Sequence, residues 1–104
     1  MSVLKITKDN FEELVLHSTK PILLDFYADW CGPCRMLGPT VHEIADEHPE
    51  YAVGKINVDE EPELAEAFSV NSIPAVFVLK NGKTVASAVG VRPKDALLSL
   101  FKTE

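Results

Sequence analysis

Cysteine is scarce in this chain: Cys31 and Cys34 are the only two among 104 residues. A pair three positions apart cannot tie distant segments together, which excludes a secreted scaffold held by disulfides. Long hydrophobic runs are also missing. The stretch Met1-Ser2-Val3-Leu4-Lys5-Ile6-Thr7-Lys8-Asp9 has no basic segment leading into an apolar one. Neither an export leader nor a membrane span is therefore expected. Positive charge is short as well, with 10 Lys and Arg against 16 Asp and Glu and a net charge of −6. Without a basic cluster, a nucleic-acid partner is not expected. There is no internal repeat, low-complexity tract or linker. What remains is an ordinary soluble composition, 46% hydrophobic and 25% charged, long enough to bury a core as one domain over residues 1–104. A reducing cytoplasm is the expected compartment.

Hydrophobic periodicity divides the chain into alternating elements. Val3 to Ile6 alternates as a short first strand. Asp9 reads as an N-cap with Glu12 as its reciprocal partner, ahead of Phe11, Leu14 and Val15 at helical spacing. Residues 22–27 are nearly continuous in apolar character, as in a strand buried on both faces. A helix is expected from about Cys34 to Glu47, kinked at Pro39. Residues 52–58 read as a strand and Pro62 to Phe68 as a short helix with proline in its first turn. Residues 75–79 and 84–89 read as strands joined through Lys80-Asn81-Gly82-Lys83, where Asn-Gly signals a hairpin. Pro93 to Lys102 closes the chain as a helix with Ala96, Leu97, Leu100 and Phe101 inward. The order β-α-β-α-β-α-β-β-α implies an α/β fold, with a mixed five-stranded sheet flanked by four helices. The acids Asp59-Glu60-Glu61 read as complements to the positive end of the following helix.

The chemistry gathers at Trp30-Cys31-Gly32-Pro33-Cys34, directly after the buried strand and at the start of a helix. Side chains at i and i+3 on a helical turn stand about 5–6 Å apart, a little wider than the usual disulfide Cβ spacing of about 3.5–4.5 Å. A small adjustment would close a bridge whose tiny ring stabilises the fold little, so it suits being made and broken. Alone, Cys-X-X-Cys is shared with zinc half-sites. Zinc needs about four ligands, and His17, His42 and His48 form no second ligand pair at finger-like spacing, so they read as surface residues. No metal and no cofactor are expected. Asp25 interrupts the buried strand and Lys55 interrupts its neighbour. They read equally as a buried ion pair or as an acid of raised pKa able to exchange a proton with a nearby thiol.

Taken together, Asp25, the Trp30–Cys34 motif, Pro39, Lys55, Ser72-Ile73-Pro74, Lys80-Asn81-Gly82 and Val89-Gly90 resemble the thioredoxin family over essentially the whole chain. The resemblance implies the thioredoxin fold and a protein-disulfide oxidoreductase. It makes Cys31 the nucleophile and Cys34 the resolving thiol, an order that suits a thiolate at a helix N-terminus, with Cys34 one turn inside and more buried. Pro33 would stiffen the turn and Gly32 would admit a substrate backbone. The resemblance also makes Asp25 the proton carrier for Cys34, directly or through a water, with Lys55 beside it. It makes the peptide before Pro74 cis and facing the sulfurs, so that Ile73 offers a backbone edge to a substrate. Gly32, Pro33, Ile73, Pro74, Val89, Gly90 and Val91 would then form an apolar rim around Cys31, although Val89 and Val91 also fit plain packing. Trp30 reads as shaping the entrance, the alternative being a core indole. Tyr27, Arg35 and Ala75 depart from the residues commonest in the family, which touches substrate range but not sulfur chemistry.

The function so implied is a general protein-disulfide reductase of the cytoplasm, a monomer acting on disulfide-containing proteins. It would be returned to the dithiol by a flavin-containing, NADPH-dependent thioredoxin reductase. A disulfide-forming or isomerising relative is the second enzymatic alternative, which Gly32-Pro33 disfavours. The alternative from another class is a docking subunit of a larger complex that needs no redox cycling.

Overall fold

Ile22 to Phe26 is buried without a break, including the carboxylate of Asp25. That run is β2 (Ile22–Tyr27), the middle strand of the sheet. The computed structural model, which describes residues 3–103, adds β1 (Leu4–Lys5), β3 (Ala52–Asn57), β4 (Ala75–Lys80) and β5 (Lys83–Val89) in the spatial order β1-β3-β2-β4-β5. The first three strands are parallel, and β4 and β5 run antiparallel to their neighbours. Four helical segments cover the sheet: α1 (Glu12–Leu16), α2 (Gly32–Glu47), α3 (Pro62–Ala67) and α4 (Lys94–Leu100). The mixed five-stranded sheet with four helices is thus the architecture expected from the element order.

Strand alternation sends successive side chains to opposite faces. Leu23, Val53, Val76 and Val78 pack with Leu37, Val41 and Ile44 of α2 and with Leu97 and Phe101 at the α4 end. Ile22, Leu24, Phe26 and Ile56 face the other way, onto Val15 and Leu64, with Phe11, Phe68 and Phe77 closing that core. Asp25 and Lys55, in register across β2 and β3, fall in alternation with Leu23 and Val53. Both therefore lie on the face covered by α2, whose first turn carries the cysteines.

Several local expectations are corrected. Asp9 caps nothing: α1 begins after Phe11 with no side-chain cap, and Asn10 organises the turn instead. Its Oδ1 accepts from Thr7 N at 2.8 Å while its Nδ2 donates to the Lys5 carbonyl. The helix is also wider than the α form, with His17 N donating to Glu12 O five residues back. The strand β1 is shorter than Val3 to Ile6, although Ile6 N still donates to Lys55 O at 2.9 Å. Helix α2 starts at Gly32, before Cys34, and runs on through Pro39. Its missing N–H deprives only the Arg35 carbonyl of a helical donor. At the hairpin, Asn81 and Gly82 both have positive φ, 53° and 79°, the conformation that an Asn-Gly turn supplies.

Candidate active site

Helix α2 opens with Cys31 as its N-cap, in extended conformation, and Pro33 inside the first turn. Proline fits there because the first helical N–H groups have no intrahelical acceptor to lose. Cys31 and Cys34 are joined as a disulfide with their Cα atoms 5.3 Å apart. The Cys31 Sγ also accepts from Cys34 N at 3.2 Å. A sulfur in that position faces the free N–H groups and positive dipole end of a sixteen-residue helix. Both effects favour a thiolate over a thiol once the bond is reduced.

One expectation fails here. Cys34 is not more sheltered than Cys31; in the disulfide the two residues are 5% and 4% exposed. Cys31 Sγ lies 3.9 Å from the Ile73 carbonyl oxygen, and Ala28, Tyr27, Val58 and Ile73 pack around the pair. What separates the two sulfurs is position. Cys31 stands outside the helix between exposed Trp30 and exposed Gly32-Pro33, whereas Cys34 is enclosed in the first turn.

Around the disulfide the chain gathers most of the rim residues expected from sequence. The Ile73–Pro74 peptide is cis, and Ile73 O lies 3.9 Å from Cys31 Sγ. Pro74 O accepts from Gly90 N at 2.8 Å, which brings the Val89-Gly90-Val91 loop alongside. Gly90 has φ +95°, open to glycine and strained for other residues. Val89 and Val91 are exposed rather than packed, at 53% and 44%, and Trp30 is exposed at 69%. Trp30 is therefore no core filler. Its Nε1 donates to Asp59 Oδ2 at 2.8 Å, which holds the indole across the entrance.

Asp59 has a partner that the sequence reading did not name. The acids Asp59-Glu60-Glu61 precede α3 as expected, with Glu61 in the N-cap position and no side-chain cap bond. Asp59 binds the indole, Glu60 pairs with Lys5 at 3.6 Å, and Glu61 Oε1 accepts from Lys8 N at 2.9 Å. Buried Asn57 shapes this turn by accepting from Asp59 N and Glu60 N through its Oδ1. The available signal was a lone tryptophan needing an acceptor, but its distance in sequence, 29 residues, hid the partner.

In the middle of β2 the electrostatics are unusual. Asp25 is fully buried, and neither carboxylate oxygen has a hydrogen-bond partner. Burial is the dominant influence and pushes its pKa up to about 6, while the positive charge of Lys55 pulls the other way. The two do not form the buried ion pair allowed for in the sequence. Lys55 is only half-buried and holds its ammonium over the Tyr27 ring, 4.4 Å from the centroid. A cleft of about 420 Å³ is walled by Tyr27, Cys34, Arg35, Pro39, His42 and Lys55 among others. A buried acid whose pKa is raised to about 6 can hold or release a proton near neutral pH. Among the described residues, no three His, Cys, Asp or Glu side chains converge to hold a metal.

A search against protein families matches the Thioredoxin model over residues 2–103. Curated relatives agree. A thioredoxin of Chlorobaculum thiosulfatiphilum is 44% identical over 92 residues, 88% of this chain and 85% of its own length. One from Pyropia yezoensis is 42% identical over 100 residues, 95% and 94% of the two chains. Another, from Acidithiobacillus ferridurans, is 39% identical over 104 residues, covering 99% and 96%. With the family's model spanning nearly the whole sequence and a bonded Cys31–Cys34 pair at the head of α2, this chain belongs to the thioredoxin family, protein-disulfide oxidoreductases that work by dithiol–disulfide exchange on disulfide-containing proteins.

Proposed function

We propose that this protein is a general protein-disulfide reductase, recycled by an NADPH-dependent thioredoxin reductase. The observation that carries it is the placement of Cys31 Sγ at a helix N-terminus, beside an open backbone edge at Ile73 and an exposed apolar rim. In the reduced protein the Cys31 thiolate attacks one sulfur of a substrate disulfide. The substrate S–S bond breaks, one substrate thiolate leaves, and a Cys31–substrate mixed disulfide forms. Cys34 then gives its proton to the Asp25 carboxylate, directly or through water in the cleft, and attacks the Cys31 sulfur. The second substrate thiolate leaves and takes up a proton. The disulfide seen here is the product of that half-cycle. Lys55 acts on Asp25 by charge, keeping its pKa from rising further. Trp30, Gly32 and Pro33 shape the approach, and Ile73, Pro74, Val89, Gly90 and Val91 receive the substrate segment.

The 104 residues work as one domain and as a monomer. The net charge of −6 weighs against nucleic acid and anionic membrane surfaces as partners. Among the described residues no helix is long and apolar enough to cross a membrane. A dithiol that must persist in the reduced state belongs in a reducing compartment, the cytoplasm. The test is optical: consumption of NADPH by a thioredoxin reductase in the presence of a protein disulfide. Wild-type protein supports turnover, Cys31→Ser abolishes it, and Cys34→Ser accumulates a mixed disulfide that mass spectrometry detects. No turnover with both cysteines intact sinks the reductase assignment. If the doubly serine-substituted protein still served a partner fully, a redox-free docking role would replace it.

A further inference from the structure

The rim around Cys31 is electrically lopsided. On one side stands Asp59, whose carboxylate is engaged, among the described residues, by the neutral Trp30 indole alone. Its neighbours Glu60 and Glu61 are occupied by Lys5 and the Lys8 backbone. Asp29, also on that side, lies beside Arg35, whose Nη1 donates to the Asp29 carbonyl at 2.6 Å. On the other side stands Arg92, at the end of the Val89-Gly90-Val91 loop. It is exposed and folds back so that Nε and Nη2 both donate to the Val89 carbonyl, at 3.2 and 2.9 Å. No carboxylate lies within 4.0 Å of it among the described residues, whereas nearby Lys94 is consumed by Glu43 and Glu47. The loop that bears Arg92 is tied to the substrate edge by the Gly90–Pro74 bond. One charge is thus tied to Trp30, the residue before Cys31, and the opposite one to Val89, in the loop bonded to Pro74 beside Ile73. Each is held by a hydrogen bond to a neutral group, so each is oriented without losing its charge.

We infer that Arg92 and Asp59 are specificity residues, selecting substrate segments with an acidic side chain on the Val89 side of the reacting cysteine and a basic one on the Trp30 side. This rests on the reductase assignment above. The exposed guanidinium keeps Nη1 free for a substrate carboxylate, and the segment pairing along Ile73 would carry its flanking charges to the two ends of the rim. Like charges in those places would be repelled, so the same rim also rejects segments of reversed polarity.

The test uses symmetric disulfide dimers of a short peptide with one central cysteine. One version has Glu before and Lys after the cysteine, a second exchanges them, and a third has Gln at both places. Rates of reduction by the pre-reduced full-length protein are expressed relative to the Gln peptide. For exposed pairs the expected preference between the two charged versions is about two- to fivefold, shrinking at high salt. Arg92→Glu should invert the preference, and Asp59→Asn, which keeps an acceptor for the indole, should diminish it. Equal rates for the two charged peptides, or a preference that Arg92→Glu leaves untouched, overturns the proposal. Inactivity toward the Gln peptide would overturn the reductase assignment, and this inference with it.

Discussion

Asp25 carries its negative charge at a cost. With the carboxyl group buried and unpartnered, the folded state holds its proton up to a pH of about 6, against 3.8 for the free group. Between those values the folded chain binds more protons than the unfolded one, so stability falls as pH rises. Below the lower value the penalty is absent, and above the higher it is complete. Asp25→Asn removes the titration, and its stability relative to wild type should grow by about 2–3 kcal/mol between about pH 4 and pH 8. Denaturant unfolding of the oxidised proteins at the two pH values measures this, and a parallel pH dependence would refute it. Lys55 offers a second handle, since its charge lowers the Asp25 pKa. Lys55→Gln should shift the Asp25-linked limb of the pH–rate profile for disulfide reduction to higher pH. A limb that stays in place would mean that Lys55 exerts no field on the acid.

Among the elements, those read from sustained apolar patterning and from the Asn-Gly turn came through, whereas the capping signal at Asp9 did not. The buried run at residues 22–27 and the apolar stripe Leu37, Val41, Ile44 needed only the chain's own periodicity, and the hairpin only the positive φ that Asn81 and Gly82 accept. The Asp9–Glu12 capping box failed because Asn10, one residue on, has both an acceptor and donors to bind Thr7 N and Lys5 O, where a carboxylate only accepts. The cysteine motif was visible as chemistry. The Trp30–Asp59 link and the equal burial of the two sulfurs depend on segments far apart in sequence, which no local spacing encodes. Two glycines test the element geometry. Gly82 sits at φ +79° with the Leu16 carbonyl 3.3 Å from where a Cβ would stand, so Gly82→Ala should destabilise by about 1–2 kcal/mol. Gly54, in the middle of β3, has Ile6 Cγ1 only 2.6 Å from the place of a Cβ. Gly54→Ala should therefore destabilise by about 1–3 kcal/mol through overpacking. Urea midpoints report both, and a neutral Gly54→Ala would mean that the chain just after β1 yields more readily than the burial of Ile6 suggests.

At the scale of the whole molecule, both hydrophobic cores are built on β2: Leu23 belongs to one, and Ile22, Leu24 and Phe26 to the other. Neither helical layer can leave without exposing a face of the same strand, so the two should melt together. Trp30 fluorescence and far-ultraviolet circular dichroism are expected to trace one coincident urea transition. Separate midpoints would divide the fold into independent layers. The cis peptide edge, the Gly90 loop and the head of α2 reach Cys31 from separate places in the chain, so the approach to the sulfur is fixed by the assembled fold and not by the motif.

Trp30, the Ile73 carbonyl and the loop tied to Pro74 through Gly90 mark one approach to Cys31. Whatever supplies electrons and whatever accepts them must pass it in turn, each departing before the other enters. Such alternation is the kinetic pattern of a shuttle, with parallel double-reciprocal lines and inhibition by an excess of either visitor.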